Sequence, residues 1–285
     1  MPEPLTVDAA TPVVWLFGHP VGHSLSPLMQ NAAFRYRGLP MRYVACDVDP
    51  CDLAGAVAEL RSPRTRGANV TLPHKEAVLA LVDEVEAEAS RIGAVNTIVN
   101  VDGTLWGHNT DLGGFLAALR TASSEGAMGL ECLVLGAGGA ARAVVAALLK
   151  DGASQVWLAN RTRQRAQALC EAAEDWGEAP CVPLGLDEVD TVVKACEIVV
   201  NTTSLGLPHS VKDLPIDVDT LHSGQVLLDL VYGTKPTALV KAARAKGLVA
   251  VDGREMLVQQ AALSFQLWTG IEAPLEVMRG SIGSC

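Results

Sequence analysis

Cys132-Leu133-Val134-Leu135-Gly136-Ala137-Gly138-Gly139-Ala140-Ala141 is the stretch whose reading decides the fold. A short apolar run breaks into glycines and resumes as an alanine-rich segment, the pattern of a strand, a tight turn and a helix. The spacing Gly136-x-Gly138-x-x-Ala141 is that of a dinucleotide loop. Its glycines allow the turn and a close approach of pyrophosphate, and the helix start offers N–H groups and a favourable dipole. Outward from the loop, apolar runs recur at residues 155–159, 198–201 and 226–230. Their alternation with helix-like segments predicts a Rossmann-type parallel sheet with crossover helices.

The residues after the second of these strands choose between cofactors. An NAD site places Asp or Glu about 20 residues beyond the loop, on the ribose hydroxyls. This chain has Asn160-Arg161-Thr162-Arg163-Gln164-Arg165 instead, with no acid. Arginines and hydroxyls suit a 2′-phosphate, with each charge-assisted bond contributing roughly 1.5–3 kcal/mol. NADP is therefore the expected cofactor. A merely solvated basic turn is disfavoured, because cations at a helix start oppose the helix dipole.

The N-terminal part alternates in the same way. Residues 13–17, 42–46 and 67–70 read as buried strands, with a helix near residues 52–61. Ser26-Pro27 offers an N-cap and a proline at the first helical position, and Gly38 ends that helix. Residues 98–101, Asp102-Gly103 and residues 104–107 read as a hairpin that closes the first sheet. A helix over about residues 112–121 bridges onward. After Gly253 the positions Met256, Leu257, Gln260, Ala261, Ser264, Phe265 and Trp268 recur at helical spacing, and Gly270 follows as a stop. The expected architecture is α/β in two domains. A substrate-binding domain with a mostly parallel sheet spans residues 1–111 and is completed by helices of 253–285; a Rossmann-type nucleotide-binding domain spans 112–252.

Two further stretches carry chemistry. Asn69-Val70-Thr71-Leu72-Pro73-His74-Lys75 ends an apolar run and is read as placing Lys75 at the start of the next helical stretch. Asp111, in Asn109-Thr110-Asp111, is its candidate partner. A lysine held by a carboxylate can exchange a proton with a carbonyl or alcohol, and an ordinary lysine begins protonated, as carbonyl reduction needs. Ser24 and Ser26 alternate in a loop that leads into a helix N-terminus, a good place to hold a carboxylate, although Ser26 caps a helix in any case. His19 and His23 lie four apart in a loop rich in glycine and proline, and no H-E-x-x-H occurs, so no metal is expected.

Composition bounds the rest. A chain of 285 residues, 49% apolar and 19% charged, is long enough for two packed cores. A net charge of −10 argues against nucleic acid as a partner. The seven cysteines form no C-x-x-C pair, which suits reduced thiols and a cytoplasmic location. Met1-Pro2-Glu3-Pro4 lacks the basic region of a signal peptide, and no apolar run approaches the ~20 residues of a membrane span. The expected partners are small molecules, with the chain acting as a monomer or homodimer.

Taken together, the motifs resemble the shikimate dehydrogenase family over nearly the whole chain. They are Ser24-Leu25-Ser26-Pro27, residues 69–75, Gly93-Ala94-Val95-Asn96-Thr97, Asn109-Thr110-Asp111, the loop of residues 136–141, Asn160-Arg161-Thr162, Asn201-Thr202-Thr203-Ser204, Asp229-Leu230-Val231-Tyr232 and residues 256–261. The resemblance implies NADP-dependent, reversible reduction of 3-dehydroshikimate to shikimate. It implies that Ser24 and Ser26 hold the substrate carboxylate with Thr71 and Tyr232 assisting, and that Asn69, Asn96, Asp111 and Gln260 bind ring hydroxyls. Lys75 would protonate the forming oxygen, oriented by Asp111. Gly136, Ala137, Gly138, Gly139 and Ala140 would cradle the pyrophosphate, and Asn160, Arg161, Thr162 and Arg165 would read the 2′-phosphate. Thr202, Ser204 and Gly253 would also line the cofactor, with Met256 beside the nicotinamide. Two departures stand out: His108 where many relatives carry an acid, and Leu112-Gly113-Gly114 in place of a glycine-first turn. The rivals are a broader quinate/shikimate enzyme, opposed by Arg161 and the two serines, and a non-catalytic nucleotide sensor, opposed by Lys75 and Asp111.

Overall fold

Strand–helix alternation starts at β1 (Val13–Gly18) and runs through α1 (Ser26–Tyr36), β2 (Arg42–Asp47), α2 (Leu53–Glu59), β3 (Thr65–Val70), β4 (Glu84–Val85), α3 (Ala87–Ile92), β5 (Thr97–Val101) and β6 (Thr104–His108). The computed structural model describes residues 7–206, 216–233 and 235–283, so Met1-Pro2-Glu3-Pro4 and Cys285 lie outside the described residues. The chain divides into two units, residues 1–110 with 260–284 and, in the main, residues 111–259.

The first unit holds a six-stranded sheet in the order β2-β1-β3-β5-β6-β4. β1 pairs in parallel with both β2 and β3, while β5 runs antiparallel to β3 and β6. The β5–β6 hairpin turns on Asp102 at φ 49° and Gly103 at φ 92°, the left-handed pair that a tight hairpin of this twist demands. It does not close the sheet. β4 pairs in parallel with β6 and takes the edge, and a strand of two residues has no periodicity to announce it.

Phe17, Val57, Leu60, Val78, Ile98 and Leu105 form one core of this unit, all but withdrawn from solvent. A second apolar layer stacks Phe34 on Phe265 with ring centroids 5.4 Å apart and sets Tyr43 against Trp268 at 6.0 Å. Gly67 makes room for that layer. It sits in β3 at φ 145°, and a Cβ there would lie 2.0 Å from the Ile98 carbonyl oxygen and 2.9 Å from Trp268 Nε1. The Trp268 indole uses the space to donate to Ile98 O at 2.9 Å.

The second unit follows with α4 (Asp111–Arg120), β7 (Glu131–Leu135), α5 (Gly139–Lys150), β8 (Gln155–Ala159), α6 (Arg163–Ala172), β9 (Cys181–Leu184), α7 (Val189–Val192), β10 (Ile198–Asn201), β11 (Val226–Asp229), α8 (Ala238–Ala245), β12 (Val249–Asp252) and α9 (Gly253–Thr269), before α10 (Leu275–Ser281) ends the first unit. Its sheet runs β12-β11-β10-β7-β8-β9, parallel throughout. Strand order reverses between β7 and β10, the switch point where doubly wound sheets bind ligands. The central strands β7, β10 and β11 are buried on both faces, hence their unbroken apolar runs.

The two units divide inside α9, between Gln259 and Gln260. Gly253 is packed against the second unit's own backbone: a Cβ would come 2.7 Å from the Leu230 and Val231 carbonyls and 2.8 Å from that of Asp229. On either side of it, the buried Asp252 and Arg254 pair through two hydrogen bonds of 2.9 and 3.2 Å, so neither charge is left uncompensated.

Gly67→Ala is expected to destabilise the protein by about 3 kcal/mol or more, because its Cβ meets backbone that cannot yield. Denaturant unfolding checks this; a loss below about 0.5 kcal/mol would remove the packing role assigned to the glycine.

Candidate active site

β7 delivers the chain to Gly136, buried at φ 107°. A Cβ at this glycine would lie 2.6 Å from Thr202 Oγ1, so only glycine lets the loop cross the end of β10. Thr202 is itself fixed: its N–H and its hydroxyl both donate to Leu135 O, at 2.9 and 2.7 Å. Gly138 is the opposite case. It has ordinary extended dihedrals, is exposed, and a Cβ there would meet no heavy atom within 4 Å. It caps α5 without any side-chain hydrogen bond. The open side of Gly138 and the uncapped N–H groups of the first turn suit the phosphates of a dinucleotide. Ala137, Gly139 and Ala140 are half-buried beside it.

The basic turn leaves β8 at Asn160, whose N–H donates to Leu184 O at 3.2 Å and whose side chain donates to Thr162 O at 2.9 Å. This folds the turn back on itself before α6 starts. Its arginines have different fates. Arg163 bonds Glu188 at 2.5 Å, and Glu188 also accepts from Gly185 N–H, contacts that hold its carboxyl below the usual range. Arg161 and Arg165 are exposed, with no ion pair among the described residues. No carboxylate takes the position of an NAD-type acid.

In the first unit the predicted polar residues form a buried cluster. Asn96, 2% exposed, receives at its Oδ1 the Thr110 N–H at 2.8 Å and the Thr97 hydroxyl at 3.0 Å. This orients the amide, whose Nδ2 donates to Thr110 Oγ1 at 2.9 Å and reaches Gln260 Oε1 at 3.5 Å. Gln260 lies one turn of α9 before Ser264, which touches Thr97 Oγ1 at 2.9 Å and Thr110 Oγ1 at 3.1 Å. Asn69 accepts from the Tyr43 hydroxyl at 2.8 Å and donates to Thr97 Oγ1, Ser264 Oγ and Asn96 O at 3.0 to 3.1 Å. Its amide thereby joins the cluster through four protein contacts.

Thr97, Thr110 and Ser264 went unassigned in the sequence reading. The first two belong to the motifs of residues 93–97 and 109–111, and Ser264 reads as one more position on the apolar face of its helix. A serine four residues after a glutamine on that face was the available signal.

The other candidates are placed as follows. Ser26 is not the N-cap of α1. Leu25 holds that position without a side-chain bond, Ser26 is the first helical residue, and its N–H donates to Ser24 Oγ at 3.2 Å. Ser26 is buried and Ser24 half-buried. Thr71 lies against Gly18, where a Cβ would come 2.4 Å from its methyl group, and its N–H is held by Phe17 O at 2.8 Å.

Lys75 does not head an α-helix. It sits half-buried in a turn, before a short 3-10 segment, Ala77–Ala80. Tertiary bonds fix this turn: Lys75 O accepts Val95 N–H at 2.8 Å, and the buried His74 bonds Val48 O at 2.8 Å. Asp111 is buried and begins α4, directly after the anchored Thr110. Tyr232 is half-buried, Met256 buried and Ser204 exposed. Among the described residues, no group of three or more His, Cys, Asp or Glu is arranged to hold a metal, and no helix is long and apolar enough to cross a membrane.

Three family models match this chain: a shikimate dehydrogenase substrate binding domain at residues 16–98, shikimate / quinate 5-dehydrogenase at 119–215 and a shikimate 5′-dehydrogenase C-terminal domain at 253–282. The chain is 49% identical over 276 residues to a protein of Moorella thermoacetica named shikimate dehydrogenase (NADP(+)), covering 96% of this chain and 93% of that one. A crystal structure of shikimate 5-dehydrogenase from Thermus thermophilus, in complex with NADP(H) and shikimate, superposes with a TM-score of 0.83 at 41% identity, over 95% of this chain and 98% of that one. Quinate dehydrogenase from Corynebacterium glutamicum, in complex with NAD, is similar with a TM-score of 0.86 at 33% identity, over 95% and 98%.

Gly138→Ala is expected to leave thermal unfolding unchanged, since the added methyl meets nothing, yet to weaken dinucleotide binding about 10-fold or more by standing where the phosphates approach. Calorimetric titration with the dinucleotide reads this directly, and undiminished affinity would move the phosphates elsewhere.

Proposed function

The chain belongs to the shikimate dehydrogenase family, and from that membership we propose that it catalyses the reversible NADPH-dependent reduction of 3-dehydroshikimate to shikimate, a step towards chorismate and the aromatic amino acids. The observation that carries the cofactor is the acid-free turn after β8 with Arg161 and Arg165 exposed on it. The buried amide and hydroxyl cluster around Asn96 supports a polyhydroxylated ring as substrate. In this reading residues 1–111 with 253–285 bind the substrate and residues 112–252 bind the cofactor.

Bound NADPH supplies the hydride. Lys75 gives its proton to the oxygen of the carbonyl being reduced, and in the reverse direction takes it back from the alcohol. Asp111 orients the ammonium group and accepts from a ring hydroxyl. Ser24 and Ser26 bind the substrate carboxylate at the start of α1, assisted by Thr71 and Tyr232. Asn96 and Gln260 touch each other only at 3.5 Å, and a ring hydroxyl gives each a shorter bond. Asn160, Arg161, Thr162 and Arg165 take the 2′-phosphate, the glycine loop takes the pyrophosphate, and Thr202, Ser204, Gly253 and Met256 border the rest of the nucleotide. The first test is the initial rate with shikimate or quinate and with NADP or NAD, followed by the absorbance of the reduced nicotinamide. Turnover favouring shikimate and NADP is expected; comparable rates with quinate or NAD would assign the broader activity.

Lys75→Ala is expected to lower kcat by ~10²–10⁴-fold with little change in the KM for shikimate, the range for a lost general acid/base. Near-normal turnover in steady-state assays would remove lysine from the chemistry. Arg161→Ala is expected to raise the KM for NADP by roughly 10-fold or more while leaving that for NAD unchanged, as a lost charge-assisted bond requires. An equal effect on both cofactors would show that this arginine does not read the phosphate.

A further inference from the structure

One pair of side chains in the second unit has no part in the proposed reaction. Cys170, near the end of α6, and Cys181, the first residue of β9, bring their sulfurs within 2.7 Å of each other. That is far inside ordinary sulfur contact and a short step from the ~2.05 Å of a disulfide bond. Both residues are free thiols here, Cys170 buried and Cys181 partly exposed. Among the described residues the other cysteines give no such encounter: Cys46 is half-buried, Cys51 is exposed, and Cys132 and Cys196 are buried.

The geometry points to a disulfide-forming modification site, in which a small-molecule disulfide such as oxidised glutathione cross-links Cys170 to Cys181. The more accessible Cys181 thiolate attacks one sulfur of the reagent and releases one thiol, leaving a mixed disulfide. Cys170 then attacks the Cys181 sulfur, the mixed bond breaks, and the second small thiol departs. Two protein thiols become one disulfide while the reagent is reduced to two thiols, so electrons and protons balance. The hydrogen bond with Cys170, with burial beside it, holds the Cys181 thiol above its ordinary range, so the first attack speeds up as pH rises.

The position of the pair gives the bond a consequence. β9 is the edge strand of its sheet, held by β8 on one side only. At its far end, β9 and the segment after it are already tied to the head of α6 region. Leu184 O takes the Asn160 N–H, and Glu188 takes Arg163. A disulfide at the near end closes the short excursion of residues 173–180 and staples α6 to β9 at both ends. The edge strand then stays covalently tied to α6 even where its bonds to β8 open.

The reduced full chain, incubated with oxidised glutathione and digested without reductant, tests this by mass spectrometry. Peptides carrying Cys170 and Cys181 are expected as one linked species that separates on reduction, while Cys51 forms only a glutathione adduct. The linked protein is expected to melt higher than the reduced one by about 4–10 °C, and Cys181→Ser to abolish both the link and the shift. Cys170 and Cys181 still open to alkylation while Cys51 is glutathionylated would overturn the proposal. So would a stable mixed disulfide at Cys181 that never closes, since it shows sulfurs not aligned to join, while a linked form that melts lower would overturn the stapling of α6 to β9. None of these readouts depends on substrate turnover, so they stand apart from the assigned reaction.

Discussion

The hydrogen bond from Thr110 N–H to Asn96 Oδ1, at 2.8 Å, is the constraint on which the first unit's polar site depends. It decides which way the Asn96 amide faces, and the Thr97 hydroxyl confirms that orientation from the strand side. A buried amide left unsatisfied costs about 1–3 kcal/mol, whereas each bond made returns only about 0.5–1.5 kcal/mol. The cluster is therefore stable only when complete. Ser264 shows the same logic, with four contacts around one hydroxyl that can donate once and accept twice. Such crowding leaves little freedom for Asn69, Asn96 or Gln260 to turn away.

The nucleotide side is built on the opposite principle. There the chain removes side chains instead of locking them. Gly136 is imposed by close approach to Thr202, and Gly138 by what it leaves open. Phosphate oxygens need backbone N–H groups at short range, and any side chain over the loop would hold them off. Charge is added only one strand away, on the turn after β8. Even there one arginine is engaged within the protein: Arg163 pairs with Glu188, while its neighbours Arg161 and Arg165 stay exposed on the turn.

What could be read without coordinates follows from the range of each signal. Strands β7, β8, β10 and β11 of the second unit, the glycine loop, the helix stop at Gly38 and the hairpin at Asp102-Gly103 are local patterns, and each stands where its residues indicate, whereas the sequence reading leaves out the outer strands β9 and β12. The two-residue strand β4 was invisible because its only reason to exist is pairing with β6. Lys75 seemed to open a helix because the residues after it have ordinary helical composition. Instead a tertiary bond from Val95 N–H to its carbonyl holds it in a turn. Ser26 seemed a cap by residue type, but Leu25 takes the cap and Ser24 supplies the oxygen. The Asn69, Asn96, Ser264 cluster joins residues far apart in sequence, and no window of sequence displays that encounter.

The same cluster explains how the chain accommodates His108, one of its two departures from the family pattern. His108 ends β6 and stands opposite Thr97 in the hairpin register. Its contribution to the site comes from its backbone: the His108 carbonyl accepts the Asn96 N–H at 3.0 Å. The imidazole is half-buried, and burial pushes its pKa below the ordinary value, so it contributes no fixed charge near Asn96 at neutral pH. An acid here would present a carboxylate, while histidine presents a largely neutral ring, yet the peptide bond that positions Asn96 is the same in both. The neighbouring Asn109 holds the next step of the chain, donating from its side chain to Ala94 O at 2.8 Å. With backbone and Asn109 fixing the path from Thr97 to Thr110, the identity of residue 108 is released from the geometry of the site.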